Sequence, residues 1–156
     1  MAYYNLGNLN HSMGRFEKSE SYLLYVKEVR EKINNGVTPG LANVLSRIGT
    51  LKADLGQINE AESYFLLALK ITEKIYGKSN PRYVGVLTNL AILYEKSKQY
   101  ELAENYLLEC RKVIESKLGN KSRQFANNSA NLGTLYLKMN RFEDASVFLR
   151  QAVFAE

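Results

Sequence analysis

Leu90-Ala91-Ile92-Leu93-Tyr94, followed by Tyr100, the pair Ala103-Glu104 and then Tyr106-Leu107, is one copy of a pattern that recurs every 42 residues. Ala91 belongs to the series Gly7, Gly49, Ala91 and Gly133, each preceded by an apolar residue: Leu6, Ile48, Leu90 and Leu132. Ser19, Ala61, Ala103 and Ala145 keep the same interval, as do Leu23, Phe65, Leu107 and Leu149, and Phe16, Ile58, Tyr100 and Phe142. Four series in one register make an internal repeat the feature that decides the fold.

Within a copy the spacing is helical. Leu87, Leu90, Ala91 and Tyr94 stand at i, i+3, i+4 and i+7, and Ala103, Tyr106, Leu107 and Cys110 repeat that spacing, so each copy holds two amphipathic helices. Gly14, Gly56, Lys98 and Asn140 fall between them, where glycine or asparagine can take the left-handed conformation that ends a helix; Lys98 is expected to be strained there. Asn35, Gly77 and Gly119 are expected to close the second helices. Pro39 and Pro81 suit the start of the next unit, because proline's missing N–H costs least at a helix beginning, and the third junction has Arg123 instead. Small residues such as Gly49, Ala61, Ala91 and Ala103 let helices approach closely, while Phe65, Tyr94 and Leu107 fill the space beside them.

One all-α domain over 1–156 is therefore expected, with four units at about 1–40, 41–82, 83–124 and 125–156. Each hairpin alone leaves an apolar face bare that the next must cover, and such arrays normally end on a polar capping helix. Here a first helix over 1–13 opens the chain, and Phe148, Val153 and Phe154 stand uncovered near Glu156. A fragment of a longer array is the expectation, with self-association through those uncapped ends as an alternative function.

The composition, 46% apolar and 24% charged, is that of a folded protein. The net charge of +5 is scattered. Its longest basic cluster, Arg111-Lys112, lies close to Glu109 and Glu115 and reads as a solvated helix face, so nucleic acid is not the expected partner. No stretch approaches the ~20 apolar residues of a membrane span, and the first residues lack a signal-peptide pattern, so a soluble, cytoplasmic protein without membrane contact is expected.

With Cys110 and His11 the only residues of their kinds, neither a disulfide, a metal site nor a histidine relay has enough parts. Cys110 shares its register position with Val26, Ala68 and Ala152 and reads as a core thiol; His11 reads as partly exposed at the end of the first helix. No glycine loop follows a strand to cradle phosphate, and the glycosylation-like triplets at Asn10, Asn120 and Asn127 are read as chance. Glu60, Glu62, Glu101 and Glu104 are expected on helix starts or solvated faces as structural acids. No enzyme activity and no cofactor are expected.

The pattern Leu90-Ala91-Ile92-Leu93-Tyr94, Tyr100, Ala103-Glu104 and Tyr106-Leu107 resembles the tetratricopeptide repeat. Its 42-residue spacing, with Gly77-Lys78-Ser79-Asn80-Pro81 between units, is similar to the long-helix subclass of kinesin light chains. Similar arrays occur in bacterial regulators that carry a separate kinase or caspase-like effector domain. The resemblance covers essentially the whole chain and implies a right-handed α-solenoid of four antiparallel helix hairpins. It also implies a protein–protein interaction scaffold that takes an extended peptide along a concave face lined by first helices.

In related peptide-binding arrays the position two residues before the small register residue is often asparagine; here it holds Asn5, Arg47, Asn89 and Asn131. A side-chain amide offers the donor and the acceptor that a peptide C=O and N–H require. Packed helices lie roughly 8–10 Å apart and an extended chain advances about 3.3 Å per residue, so one amide would meet about every third ligand residue. Arg47 breaks the series but supplies a fork for a carboxylate. Neighbouring turns add Tyr4, Asn8, Asn43, Thr50, Asn127 and Thr134 to the same face. Lys96 and Lys138 lie at its far end, partly offset by Asp54 and Glu95. A polar, mildly basic surface and a partly acidic peptide or protein partner are expected. The lysine and asparagine clamp of chaperone-binding relatives is not reproduced, since Tyr4 stands where its lysine would be.

Overall fold

The computed structural model describes residues 1–154, among which there are eight α-helices and no strand. They are α1 (Ala2–Ser12), α2 (Phe16–Glu31), α3 (Pro39–Asp54), α4 (Ile58–Tyr76), α5 (Pro81–Lys96), α6 (Tyr100–Lys117), α7 (Arg123–Lys138) and α8 (Phe142–Phe154), with a 3₁₀ turn at Asn34–Gly36. Packing divides the chain into two compact bodies, Met1–Gly77 with α1–α4, and the chain from Lys78 onward with α5–α8. Each body is two antiparallel hairpins stacked through the second helix of one and the first helix of the next, α2 on α3 and α6 on α7. None of the described helices is long and apolar enough to cross a membrane.

The reversals inside the hairpins follow the register. Gly14, Gly56, Lys98 and Asn140 have φ of +70°, +74°, +61° and +57°. In every copy the next N–H donates to the carbonyl five residues back: Arg15 to Asn10 at 2.8 Å, Gln57 to Lys52 at 2.9 Å, Gln99 to Tyr94 at 2.8 Å and Arg141 to Tyr136 at 2.9 Å. This is the bond pattern of a Schellman closure, which needs one left-handed residue. At the junctions Thr38, Asn80 and Ser122 cap α3, α5 and α7, each side-chain oxygen accepting from a backbone N–H of the first turn. Pro39 and Pro81 take the first helical position.

The first junction differs from expectation. Asn35 does not close α2, which ends at Glu31 with Lys32 as its cap; Asn34, Asn35 and Gly36 instead form a short turn with φ of +48°, +51° and +76°. Asparagine tolerates the left-handed region well enough for the chain to insert this extra turn.

Close approach explains the small-residue series. A Cβ at Gly7 would lie 2.8 Å from Leu23, one at Gly49 2.7 Å from Phe65, and one at Gly133 2.6 Å from Leu149. Each glycine lets the large side chain of its own hairpin's second helix press on the first helix. Around these pairs Leu45, Ile48 and Leu51 in the first body, and Leu107, Ile114, Leu132 and Leu135 in the second, are almost wholly enclosed.

Several polar groups sit where the sequence reading did not place them. Lys52 is buried, its ammonium 2.8 Å from Glu20 and 3.0 Å from Glu60; Glu60 is the half-exposed acid in the first turn of α4 that was expected, and an ion-pair partner as well. Glu104, by contrast, is not on a solvated face: it accepts the Tyr136 hydroxyl at 2.7 Å and the Arg141 guanidinium at 3.0 Å, tying α6 to the α7–α8 hairpin. Arg111 does not belong to a solvated basic cluster. It lies over the Phe125 ring at 4.3 Å, donates to Ser129 at 3.1 Å and Gln151 at 2.7 Å, and pairs with Glu115 at 2.9 Å. A planar guanidinium can stack and donate at once, which lets it occupy a half-buried site that lysine could not satisfy.

Candidate peptide-binding surface

Each first helix keeps one side away from its hairpin partner. On α3 the spacing i, i+4, i+7, i+11 puts Asn43, Arg47, Thr50 and Asp54 on one side; none is buried, while Leu41, Leu45, Ile48 and Leu51 on the other side are. The same positions on α7 are Asn127, Asn131, Thr134 and Lys138, again without a buried member, opposite buried Phe125, Leu132 and Leu135. On α5 they include half-buried Asn89 and exposed Lys96, and on α1 exposed Asn5 and half-buried Asn8. Every candidate residue from the sequence therefore lies on the open side of its own helix. The structure brings them together as a stripe along each helix, and no described hydrogen bond joins one to another.

The amides along these stripes are uncommitted. Among the described residues, Asn5, Asn43, Asn89, Asn127 and Asn131 have no hydrogen-bond partner, and the Asn8 Oδ1 is buried without one. A carbonyl oxygen shielded from water with no donor is costly until something donates to it. Thr50 has spent its proton on Ser46 O at 3.0 Å, leaving only its acceptor capacity. The Arg47 guanidinium also has no partner among the described residues.

The far end of each stripe is closed by a side-chain pair. His11 Nε2 lies 3.0 Å from Asp54 Oδ2 in the first body, and Lys138 pairs with Glu95 in the second. The two pairs occupy equivalent register positions, His11 with Glu95 and Asp54 with Lys138, with the acid and base exchanged. Lys138 is therefore not a free cation, and the surface is less basic than the sequence reading made it. Ile92 stands on the open side of α5, 42% exposed; Leu137, 45% exposed, instead lines a groove along α8 with Phe142, Ser146 and Leu149. The register alone points to Ile92, the copy of Thr50 and Thr134, which a reading for polar ligand contacts passes over.

Cys110 is wholly buried, and burial pushes its thiol up to about 11, with the Thr88 hydroxyl 3.6 Å from the sulfur acting the other way. It is the core thiol that its register copies implied. Among the described residues no three His, Cys, Asp or Glu side chains are grouped as metal ligands.

A solenoid of this geometry is the architecture of known relatives. The tetratricopeptide repeat profile matches three overlapping stretches, residues 1–74, 40–116 and 82–153, and the chain belongs to the tetratricopeptide repeat family. The crystal structure of BtubC (BKLC) from P. vanneervenii superposes with a TM-score of 0.86 at 24% identity over 97% of this chain. This chain spans 59% of the length of that one. A Podosopora anserina putative kinesin light chain with nearly identical TPR-like repeats matches at a TM-score of 0.84 and 17% identity, over 97% of this chain and 72% of that one. No curated protein matches. The fold is thus an all-α solenoid of four helix hairpins of the tetratricopeptide repeat family. Proteins of this family are in general non-catalytic scaffolds for protein–protein interaction.

Proposed function

We propose that the chain is a cytoplasmic, non-catalytic scaffold whose first-helix stripes hold an extended peptide segment of a partner protein. The observation that carries this reading is the in-register row of uncommitted amides. Asn5, Asn89 and Asn131 occupy one repeat position, each side chain has a donor and an acceptor to offer, and none has a side-chain hydrogen bond among the described residues. Arg47 takes the fourth copy of that position and supplies a bidentate site for a carboxylate, so the peptide carries an acidic residue where it crosses α3. Asn43, Thr50, Asn127 and Thr134 add hydrogen bonds along the same sides, Lys96 borders the α5 stripe, and Ile92 offers apolar contact in the second body. Lys138, paired to Glu95, positions the end of the α7 stripe rather than the ligand.

The test compares capture of partners from native cell extract by the chain and by an Asn89→Leu, Asn131→Leu double variant of unchanged melting temperature. Leucine removes both hydrogen-bonding groups at positions with open surface, so folding is retained. A partner held by the first and lost by the second is the expected result; equal capture by both would sink the amide-row reading.

A further inference from the structure

In the second body Arg111 fills the space beside α7 and α8. It pairs with Glu115 at 2.9 Å, lies over the Phe125 ring at 4.3 Å and donates to Gln151 at 2.7 Å. In the first body the register copies of Arg111, Glu115, Phe125 and Gln151 are Lys27, Glu31, Leu41 and Leu67. Lys27 pairs with Glu31 on its own helix at 2.8 Å and makes no other described bond, and leucine replaces both the ring and the amide. At that place the first body has a groove of about 390 Å3, lined by Val37, Leu41, Leu67 and Ile71 together with Glu31, Lys70 and Lys74. It lies at an internal junction where α2, α3 and α4 are all present, and no residue of the α3 amide stripe lines it.

Two features say what the groove takes. Leu67 is 42% exposed at a position that holds Glu109 and Gln151 in the next two hairpins, so an apolar side chain stands where a polar one would serve a solvated face. Lys70 and Lys74 stand one helical turn apart, both exposed, and neither has a partner among the described residues. Like charges at this spacing repel until an acid comes between them, and Glu31 does not supply it because Lys27 already holds it.

We propose that this groove is a second binding site, for a segment of a partner protein in which an apolar side chain is flanked by acidic residues. The apolar side chain enters beside Leu41, Leu67 and Ile71, and the carboxylates meet Lys70 and Lys74. A cation in the manner of Arg111 suits the groove less well. Leu41 offers no aromatic face, the nearby carboxylate is taken, and the two ammonium groups would repel it.

A displayed library of random short peptides, selected on the chain and counter-selected against a filled-groove variant, tests this. Lys27→Arg, Leu41→Phe and Leu67→Gln together copy the residues with which the second body fills the place, so this variant is expected to fold with the groove closed. If it melts early, Leu67→Glu, an exposed position whose next copy is already glutamate, replaces it. Survivors are expected to share an apolar residue flanked by aspartate or glutamate. On a Lys70→Glu, Lys74→Glu variant their affinity should fall at least about tenfold by fluorescence anisotropy, with melting unchanged because both side chains are exposed. The Asn89→Leu, Asn131→Leu variant should bind them like wild type, which separates this site from the amide row. An empty selection, survivors rich in lysine or arginine, or equal binding by the charge-reversed variant would each overturn the proposal.

Discussion

The Lys52 ammonium lies 2.8 Å from the Glu20 carboxylate, and 84 residues further along the same two register positions hold Tyr136 and Glu104, joined at 2.7 Å. The contact is conserved in place between the two bodies while its chemistry changes from ion pair to phenol–carboxylate bond. An acid on the second helix meets a donor on the next first helix, and any donor long enough to reach it will serve. Lys52→Met removes the donor and leaves Glu20 and Glu60 facing each other across an apolar side chain. Because those acids keep 30% and 53% of their side chains in solvent, the expected loss is about 1–2 kcal/mol, below that of breaking a dry ion pair. Lys52→Tyr copies the solution of the second body and should lose less. Urea unfolding of both variants checks the order; equal losses would mean the contact contributes nothing specific.

Stability should fall on the alkaline side, for three groups in sequence. The Cys110 thiol is pushed from its ordinary 9.0 to about 11, chiefly by burial, and the Tyr136 phenol from 10.0 to about 12, by burial and then by its bond to Glu104. Lys52 is raised by its hydrogen bonds to Glu20 and Glu60. All three hold their proton more tightly folded than unfolded. Their contribution is therefore complete below the unfolded values and is lost as pH rises through the folded ones. Between pH 9 and about 11 the slope should belong mainly to Cys110, on the order of 2–3 kcal/mol in all, and Cys110→Ala should flatten it. Denaturant midpoints measured along that range would show it; an unchanged slope in the variant would remove the thiol from the account.

Much of the fold was legible because its determinants are local or repeat at a fixed interval. The left-handed closures, the proline starts and the glycine-to-large pairs each depend on one residue type at one register position. Lys52 and Arg111 were not legible. Position 52 has the copies Asn10, Tyr94 and Tyr136, and nothing in the sequence says that a lysine there makes the contact that a tyrosine makes at position 136. Arg111 replaces Leu69 and Lys27, and its partners Ser129 and Gln151 lie on two other helices. The open sides of the first helices were readable from helical spacing, but the pairing of Lys138 with Glu95 was not, since it joins two helices and exchanges the register positions that hold the acid and its partner in the His11–Asp54 pair.

Lys98 is a lysine held at a φ of +61°, in the position where two of the other hairpins use glycine. Its Cβ meets the following carbonyl, a cost of roughly 1–2 kcal/mol that glycine does not bear, although glycine also gains freedom in the unfolded chain. Lys98→Gly is expected to raise stability by about 0.5–1 kcal/mol, since the side chain is exposed and in no described contact. Asn140→Gly, starting from a residue that tolerates this conformation, should gain less. Thermal unfolding of the two variants compares them directly, and a loss at Lys98 would show that its side chain has a role beyond the turn.

Gly49 and Phe65 carry the sharpest packing prediction. A Cβ on Gly49 would sit 2.7 Å from Cε1 and 2.8 Å from Cδ1 of Phe65, and the ring is only 2% exposed, so it has nowhere to withdraw. Gly49→Ala should cost about 1–3 kcal/mol through overpacking, against a small gain from alanine's better helix propensity. The next copy of the repeat holds Ala91 and Leu107 at these positions, both buried, which shows that the site accepts an extra methyl when the partner is smaller. Gly49→Ala combined with Phe65→Leu should therefore be more stable than the sum of the two single changes predicts, with a coupling of about 1 kcal/mol or more. A double-mutant cycle measured by denaturant unfolding decides it. Strict additivity would mean that the two residues do not compete for the same space, contrary to the geometry.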